Sequence, residues 1–415
     1  MVSEQKQQTR TIELASVIKD IAAGPFGSNL KVSCFVDEGF PIIDGANLKA
    51  IKVTDNITKF VTEDKARSLH RSIASRGDVV VTISGNVGQI SYIPSDSQYA
   101  EYLVSQRQFR VTFDTEQVYI PYLVYYFHTY EGQHKILAFA NQTGVPALAQ
   151  PLKNFKKITI EIPSLDDQKR IASVCEAITD KIETNNKIND NLQQQLRTIF
   201  MERFTNNPAL ESIQQVPLSE LCNVVTKGTT PTTLGKPFVD RGINFLKAES
   251  ILDNHSLDKG KFAHIDEETH DMLKRSVIYA GDIVFTIAGT LGRFALIDSD
   301  ILPANTNQAV AIIRADKGKI SPEYLYACFI GNWHNDYYSK RVQQAVQANL
   351  SLTTIKSLPI PVLTQDEMVS YMALISPIIK MLKQNETENE RLAALRDTLL
   401  PRLMSGEVDV SNIDI

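Results

Sequence analysis

Two stretches of the chain repeat apolar residues at spacings of three and four. The first runs Ile171, Val174, Cys175, Ile178, Ile182, Ile188, Leu192, Leu196, Ile199. The second runs Tyr371, Leu374, Ile375, Ile378, Met381, Leu382, Leu392, Leu395, Leu399, Leu403. Such a stripe lies along one face of an α-helix, so the spacing predicts long helices from about Asp166 and from about Asp366. With Ile171 and Tyr371 as heptad position a, the third a position is Asn185 in one helix and Asn385 in the other. A polar residue in an apolar seam fixes register and partner at a cost in stability. The matched pair is therefore expected to pack on itself as an antiparallel coiled coil; the alternative is that each helix packs only on its own neighbouring segment. Pro377 lies within the second stripe and predicts a kink there or the helix's real start.

The rest of the chain alternates differently. Runs 79–83, 158–162, 283–287 and 309–313 are β-branched and bounded by Gly, Asn, Asp or Pro, as strands are. The segments TISGNVGQISYI and TIAGTLGRFALI each predict two strands joined by a glycine-containing turn. Short helices are predicted from Pro121 and Pro322, since proline suits the first helical turn.

These elements occur twice. Gly77, Asp78, Gly85 and Gly88 recur as Gly281, Asp282, Gly289 and Gly292, an offset of 204. Gln106 and Leu123 recur as Gln308 and Leu325 at an offset of 202, and LKNFKKITIEIPSLDDQ from Leu152 recurs as LTTIKSLPIPVLTQDEM from Leu352 at 200. A period near 200 is too long for a solenoid unit and indicates a duplicated domain. The fold class expected is mixed α/β with a pseudo-two-fold internal repeat. The segments are 1–163, 164–213, 214–363 and 364–415, alternating α/β and helical. Two copies of one module suit a target that itself has two parts.

At 415 residues, 43% hydrophobic and 22% charged, the chain is globular and long enough for two to four domains. No apolar run approaches the roughly 18 residues of a membrane span, and the polar MVSEQKQQTR start lacks a signal-peptide core. Cys34, Cys175, Cys222 and Cys328 form no CxxC, so reduced thiols and a cytoplasmic location are expected. No Cys/His group has zinc-ligand spacing; His264 and His270 are six apart. Charge is uneven: residues 1–160 carry a net +2, 161–213 a net −3, 214–363 a net 0 and 364–415 a net −4. The acidity sits on the helical segments, which phosphate would repel, leaving their flanks and the apolar Leu399, Leu400 and Leu403 free for protein partners.

Enzyme motifs are missing. The nearest approach to an adenine methyltransferase's Asn-Pro-Pro-Tyr-like tetrapeptide is Asn206-Asn207-Pro208-Ala209. Gly235-Lys236 is followed by Pro237 and makes no phosphate loop. Glu63-Asp64-Lys65 has the spacing of a nuclease E-x-K at a frequency expected by chance. The paired glycines at 85/88 and 289/292 lack the GxGxxG pattern and read as turns.

The C-terminal RLAALRDTLLPRLMSGEVDV, the GDIVFTIAGTLGRFALI hairpin, the NLSLTTIKSLPIPV run and the IPSLDDQKRIA helix start together resemble the specificity subunits of type I restriction–modification systems. The resemblance spans essentially the whole chain. It departs where that family often has Pro-x-x-Glu-Gln at its helix starts: here the first copy keeps Gln168 and the second has Met368. The opening loop AAGPFGSNL is also a weaker version than TKGTTPTTL.

The resemblance implies a non-catalytic subunit in which 1–163 and 214–363 are target-recognition domains, each reading half of an asymmetric double-stranded DNA sequence. The helices 164–213 and 364–415 would space them and dock two modification (methyltransferase) subunits, which restriction (endonuclease/translocase) subunits join. It implies no cofactor in this chain, with S-adenosylmethionine, ATP and Mg²⁺ on the partners, and no membrane. The alternatives are a specificity subunit of a fused restriction–methylation system, a self-contained methyltransferase–nuclease, or a protein-binding adaptor.

Base reading calls for Arg, Lys, Asn, Gln and short hydroxyls on exposed loops or helix starts. The candidates are Ser28, Asn29, Lys31, Asn86, Arg107, Asn141, Gln142 and Thr143 in the first copy. In the second they are Lys227, Thr229, Thr230, Lys247, Thr290, Arg293, Asn307, Arg341, Gln343 and Gln344.

Overall fold

Both apolar stripes form continuous helices of equal length, Leu165–Phe204 and Gln365–Met404, each of 40 residues, in a computed structural model of the chain. At about 1.5 Å per residue each is roughly 60 Å long. The structure describes residues 9–141, 146–204, 213–333, 337–338, 349–411 and 413. Pro377 does not mark the start of the second helix, which begins at Gln365. Thr364 caps that start: its hydroxyl accepts from the Glu367 amide and the Glu367 carboxylate accepts from the Thr364 amide at 3.0 Å, a reciprocal arrangement that satisfies two otherwise orphaned donors. Ser164 caps the first helix by its hydroxyl alone, which accepts from the Asp167 amide at 3.2 Å and donates to the Asp167 carboxylate at 2.9 Å.

Two compact units divide the chain, residues 1–182 with 391–415 and residues 183–390. Each holds one α/β module and a part of each long helix, so the units cut across both helices, which segments 164–213 and 364–415 keep whole.

In the first unit an antiparallel four-stranded sheet has the order Ile18–Ala23, Gln108–Phe113, Val79–Thr82, Ile90–Tyr92. A second sheet has the order Phe35–Val36, Phe60–Val61, Phe40–Ile43, Glu101–Val104, Ile73–Ser75, in which Phe40–Ile43 and Glu101–Val104 run parallel. Arg10–Glu13 pairs with Thr159–Ile162 and closes the module beside the helix start. The predicted helix at Pro121 is Ile120–His128.

The first sheet, that helix, Ile171 and Cys175 of one long helix, and Leu400 and Leu403 of the other share one core. Val410 is buried there as well, and the Arg170 guanidinium donates to the Ile413 carbonyl at 3.2 Å. Leu400 and Leu403, expected to be free for partners, are therefore interior to this module, and Leu399 is half-buried against the same core. Burying one such side chain is worth about 1.5–3 kcal/mol. Gln168, fully buried, accepts from the Tyr119 amide at 2.8 Å and donates to the Pro163 carbonyl at 3.0 Å. This ties the helix start to the module. Met368, at the matching place, packs into an apolar core instead.

The second unit repeats the plan. Its sheet order is Cys222–Lys227, Val310–Ala315, Ile283–Thr286, Phe294–Leu296. The other sheet runs Ala263–Ile265, Ile243–Leu246, Ala304–Thr306, Val277–Ile278, again with one parallel pair. Gln215–Pro217 pairs with Pro359–Pro361, and the helix at Pro322 spans Pro322–Ile330. Leu192, Leu196, Phe200 and Phe204 of the first long helix join Tyr371, Ile375, Ile379 and Leu382 of the second in its core. Here the helices are antiparallel. Asn185 donates to Asn389 at 2.9 Å and to Glu388 at 2.8 Å, while Asn385 donates to Asn189 at 2.8 Å. The two seam asparagines do not face each other; each pairs with an asparagine four residues further along its own helix's counterpart. Both hairpins turn on left-handed glycines, Gly85 at φ 90° and Gly289 at φ 76°, a conformation that other residues adopt only with strain.

Candidate nucleic-acid interface

In the first module a cleft of about 550 Å³ opens between the two sheets. Four segments line it: the hairpin turn at 84–86, the turn Ser105–Gln108 between two strands, Asp44–Ala46 with Lys59 beside the five-stranded sheet, and the stretch that carries Leu30, Val32 and Phe35. Its floor is a chain of amides and hydroxyls. Ser105 donates to Gln108, Gln108 reaches the Thr82 hydroxyl at 3.5 Å, and Thr82 donates to Gln89 at 3.3 Å. Lys59 pairs with Asp44 at 2.6 Å on one wall. Burial works to raise the Asp44 carboxyl, but the bonds from Lys59 and from the Ala46 amide hold it below the usual carboxylate range.

The loop after Ile18–Ala23 edges the cleft. Gly24 lies so close to the Ser105 carbonyl that a Cβ there would overlap it, and Gly228 stands in the same relation to the Thr306 carbonyl. That close approach requires glycine at both places. Phe26, 83% exposed, and Val32, 82% exposed, stand on the loop.

Of the first-copy candidates, Asn86 and Arg107 line this cleft. Arg107 is exposed, and among the described residues no hydrogen bond or ion pair engages its guanidinium. Ser28, Asn29 and Lys31 lie exposed on the loop. Asn29 also lines a neighbouring groove of about 380 Å³ with Phe26, His70 and Arg71. Asn141 is exposed, its amide bonded to the Ala147 carbonyl at 2.8 Å. Gln142 and Thr143 fall outside the described residues.

The second copy brings its candidates together differently. Thr229 and Thr230 are tied down, the first by Ser276 through its amide at 2.8 Å and by Arg275 through its hydroxyl at 3.0 Å, the second by Gln308. Arg293 forks onto Asp253 at 2.6 and 2.8 Å and donates to the Ile251 carbonyl at 3.2 Å. Lys247 lies over the Phe238 ring at 5.0 Å. Asn307 spends its side-chain carbonyl on the Ala309 amide at 3.1 Å. Lys227 and Thr290 are exposed. Arg341, Gln343 and Gln344 fall outside the described residues.

Sequence reasoning passed over Phe26, Lys59, Gln89 and Gln108. The signal for Gln108 was present: with Gln106 it flanks Arg107 in a polar turn before a strand. Nothing local marked Gln89 or Lys59, which arrive from other strands. Among the described residues no His/Cys/Asp/Glu group could hold a metal ion, and no helix is long and apolar enough to cross a membrane.

The family model of the type I restriction modification DNA specificity domain matches residues 36–194 and 211–393. The chain is 22% identical over 419 residues to the type I restriction enzyme MjaIX specificity subunit of Methanocaldococcus jannaschii, covering 95% of this chain and 93% of that protein. It is 28% identical over 200 residues to the HindI specificity subunit of Haemophilus influenzae, covering 46% and 40% respectively. A solved type-I restriction-modification S subunit from M. genitalium shares the fold, with a TM-score of 0.53, 15% identity and coverage of 97% and 98%.

Proposed function

The chain belongs to the family of type I restriction–modification DNA specificity subunits, and from that premise we propose that each α/β module reads one half of a bipartite, asymmetric double-stranded DNA target. Specificity subunits are the non-catalytic recognition part of their complexes and carry no cofactor of their own. The observation that carries the reading is the duplication. The two modules share the strand order of the hairpin sheet and the same turn glycines, while the other sheet has five strands in the first and four in the second and the side chains around the turns differ, as two heads reading different half-sites would need.

On this reading residues 1–163 and 214–363 are the recognition domains and 164–213 and 364–415 the helical spacers. On the same reading the two helices set the gap between the half-sites. The candidate side chains named above supply the contacts, with phosphate contacts setting register and base contacts setting sequence. Two modification subunits dock on the helices and restriction subunits join them in the cytoplasm. The partners bring S-adenosylmethionine for methyl transfer and ATP and Mg²⁺ for cleavage.

Exchange of residues 1–163 for the matching segment of a relative tests this. With the partner methyltransferase co-expressed, methylome sequencing is expected to show one half of the motif changed and the other half and the gap retained. A motif altered in both halves would rule out independent reading heads.

A further inference from the structure

The turn that carries Arg107 recurs in the second module with the same backbone bonds. The Arg107 amide is held by the Ser105 hydroxyl at 3.4 Å, and the Ala309 amide by the Asn307 side chain at 3.1 Å. The Arg107 carbonyl accepts from Ile83 at 2.7 Å, and the Ala309 carbonyl accepts from Ile287 at 2.8 Å. Gln108 pairs with Thr82 where Val310 pairs with Thr286, which places Arg107 opposite Ala309 in the repeat.

What differs is the guanidinium. The second module's nearby arginine, Arg293, sits where the first has Gln89, and its fork is closed on Asp253. Among the described residues Arg107 has no such acid. It stands at the mouth of a cleft whose floor is bonded glutamines, with its guanidinium beside Gly85, a residue with no side chain to obstruct it. A guanidinium carried on a hydrogen-bonded turn, with no partner among the described residues, matches one base edge better than any other. Guanine offers O6 and N7 side by side in the major groove, and a fork of two N–H groups meets both.

We propose that Arg107 reads a guanine in the half-site bound by the first module. The inference rests on the DNA-reading function proposed above and names a determinant of its specificity. A contact to phosphate is the competing use of the same side chain, and the two give different signatures.

The test uses the full chain assembled with its methyltransferase partner. Affinity is measured for duplexes carrying each base pair in turn at every position of the first half-site, with the methylome as a second readout. The wild-type complex is expected to lose about tenfold or more when one particular guanine is replaced. In Arg107→Ala that discrimination falls to within a few-fold across the four base pairs, with the other positions unchanged. In Arg107→Gln the preference moves toward adenine, whose N6 and N7 suit an amide. Discrimination kept in both variants, or an even loss of affinity across all sequences with a shallower salt dependence, would overturn the proposal and mark Arg107 as a bystander or a phosphate contact. A wild-type complex with no sequence preference at all would instead sink the DNA-reading function itself.

Discussion

Asp78 and Asp282 occupy the same place in their modules, at the start of the hairpin's first strand, and both are nearly inaccessible. Each accepts a backbone amide three residues back, Ser75 at 2.9 Å and Tyr279 at 2.8 Å. Their remaining partners differ in charge. Asp282 is gripped by Arg314 through two bonds of 2.7 Å. The register of the central strands puts Thr112 at the place of Arg314, and Thr112 donates a neutral bond to Asp78 at 2.5 Å. Arg110, two residues earlier on that strand, turns to Asp20 at 2.6 Å. Asp20 in turn is held below the usual carboxylate range, mainly by the bond from Arg110. Asp78, without a direct cation, is pushed up by burial against the pull of Thr112. The duplicated fold keeps the backbone-bonded positions and leaves the charges free to be rewired.

The largest test of this contrast is at the chain's end. Deleting residues 400–415 takes Leu400, Leu403 and Val410 from the first module's core only. Large apolar truncations in a core cost about 2–5 kcal/mol each. Calorimetry of the deletion variant is therefore expected to lose or sharply lower one unfolding transition and to leave the other in place. Two unchanged transitions would mean that the tail is dispensable to the fold.

A smaller effect compares the two aspartates. Arg314→Leu leaves Asp282 buried without its cation and is expected to cost about 3–5 kcal/mol. Thr112→Val removes one neutral bond from an aspartate that can take up a proton, at a cost of about 1–2 kcal/mol. Denaturant titration of the two variants gives the comparison, and equal losses would show that the charge on the donor is immaterial.

A further contrast between the modules is a dependence on pH. His255 is buried against Phe294, ring centroids 3.9 Å apart. Burial, with Arg197 adding to it and Asp253 opposing, brings its pKa down to about 4. A histidine that resists protonation when folded stabilises fully above its unfolded pKa of about 6.5 and loses that contribution as pH falls toward 4. Between pH 7 and pH 5 the second module should lose about 2 kcal/mol. His128 of the first module is shifted the same way by burial, but its ring meets the Ile90 carbonyl at 2.8 Å, which counters the shift. Denaturation at pH 7 and pH 5 should therefore show a steeper loss in the second transition, abolished in His255→Leu. A first transition with the greater loss would reverse the assignment.

The amino-acid sequence by itself determined what is periodic or local. The 3-4 stripes place both 40-residue helices, the β-branched runs place the hairpins, and the glycines at 85 and 289 mark turns that need a left-handed backbone. The duplication and the family are legible for the same reason, since each rests on residues close in the chain. Only the tertiary structure decided which side chains are spent and which are free. Arg293 and Arg107 look alike as loop arginines, yet one is closed by an aspartate 40 residues away and the other has no partner among the described residues. Asn185 reads as a seam residue, but its partner, Asn389, lies 204 residues on. Leu400 and Leu403 read as a sticky end and are interior. A side chain's hydrogen-bonding and burial are set by whatever distant element folds against it, and spacing along the chain carries no record of that distance.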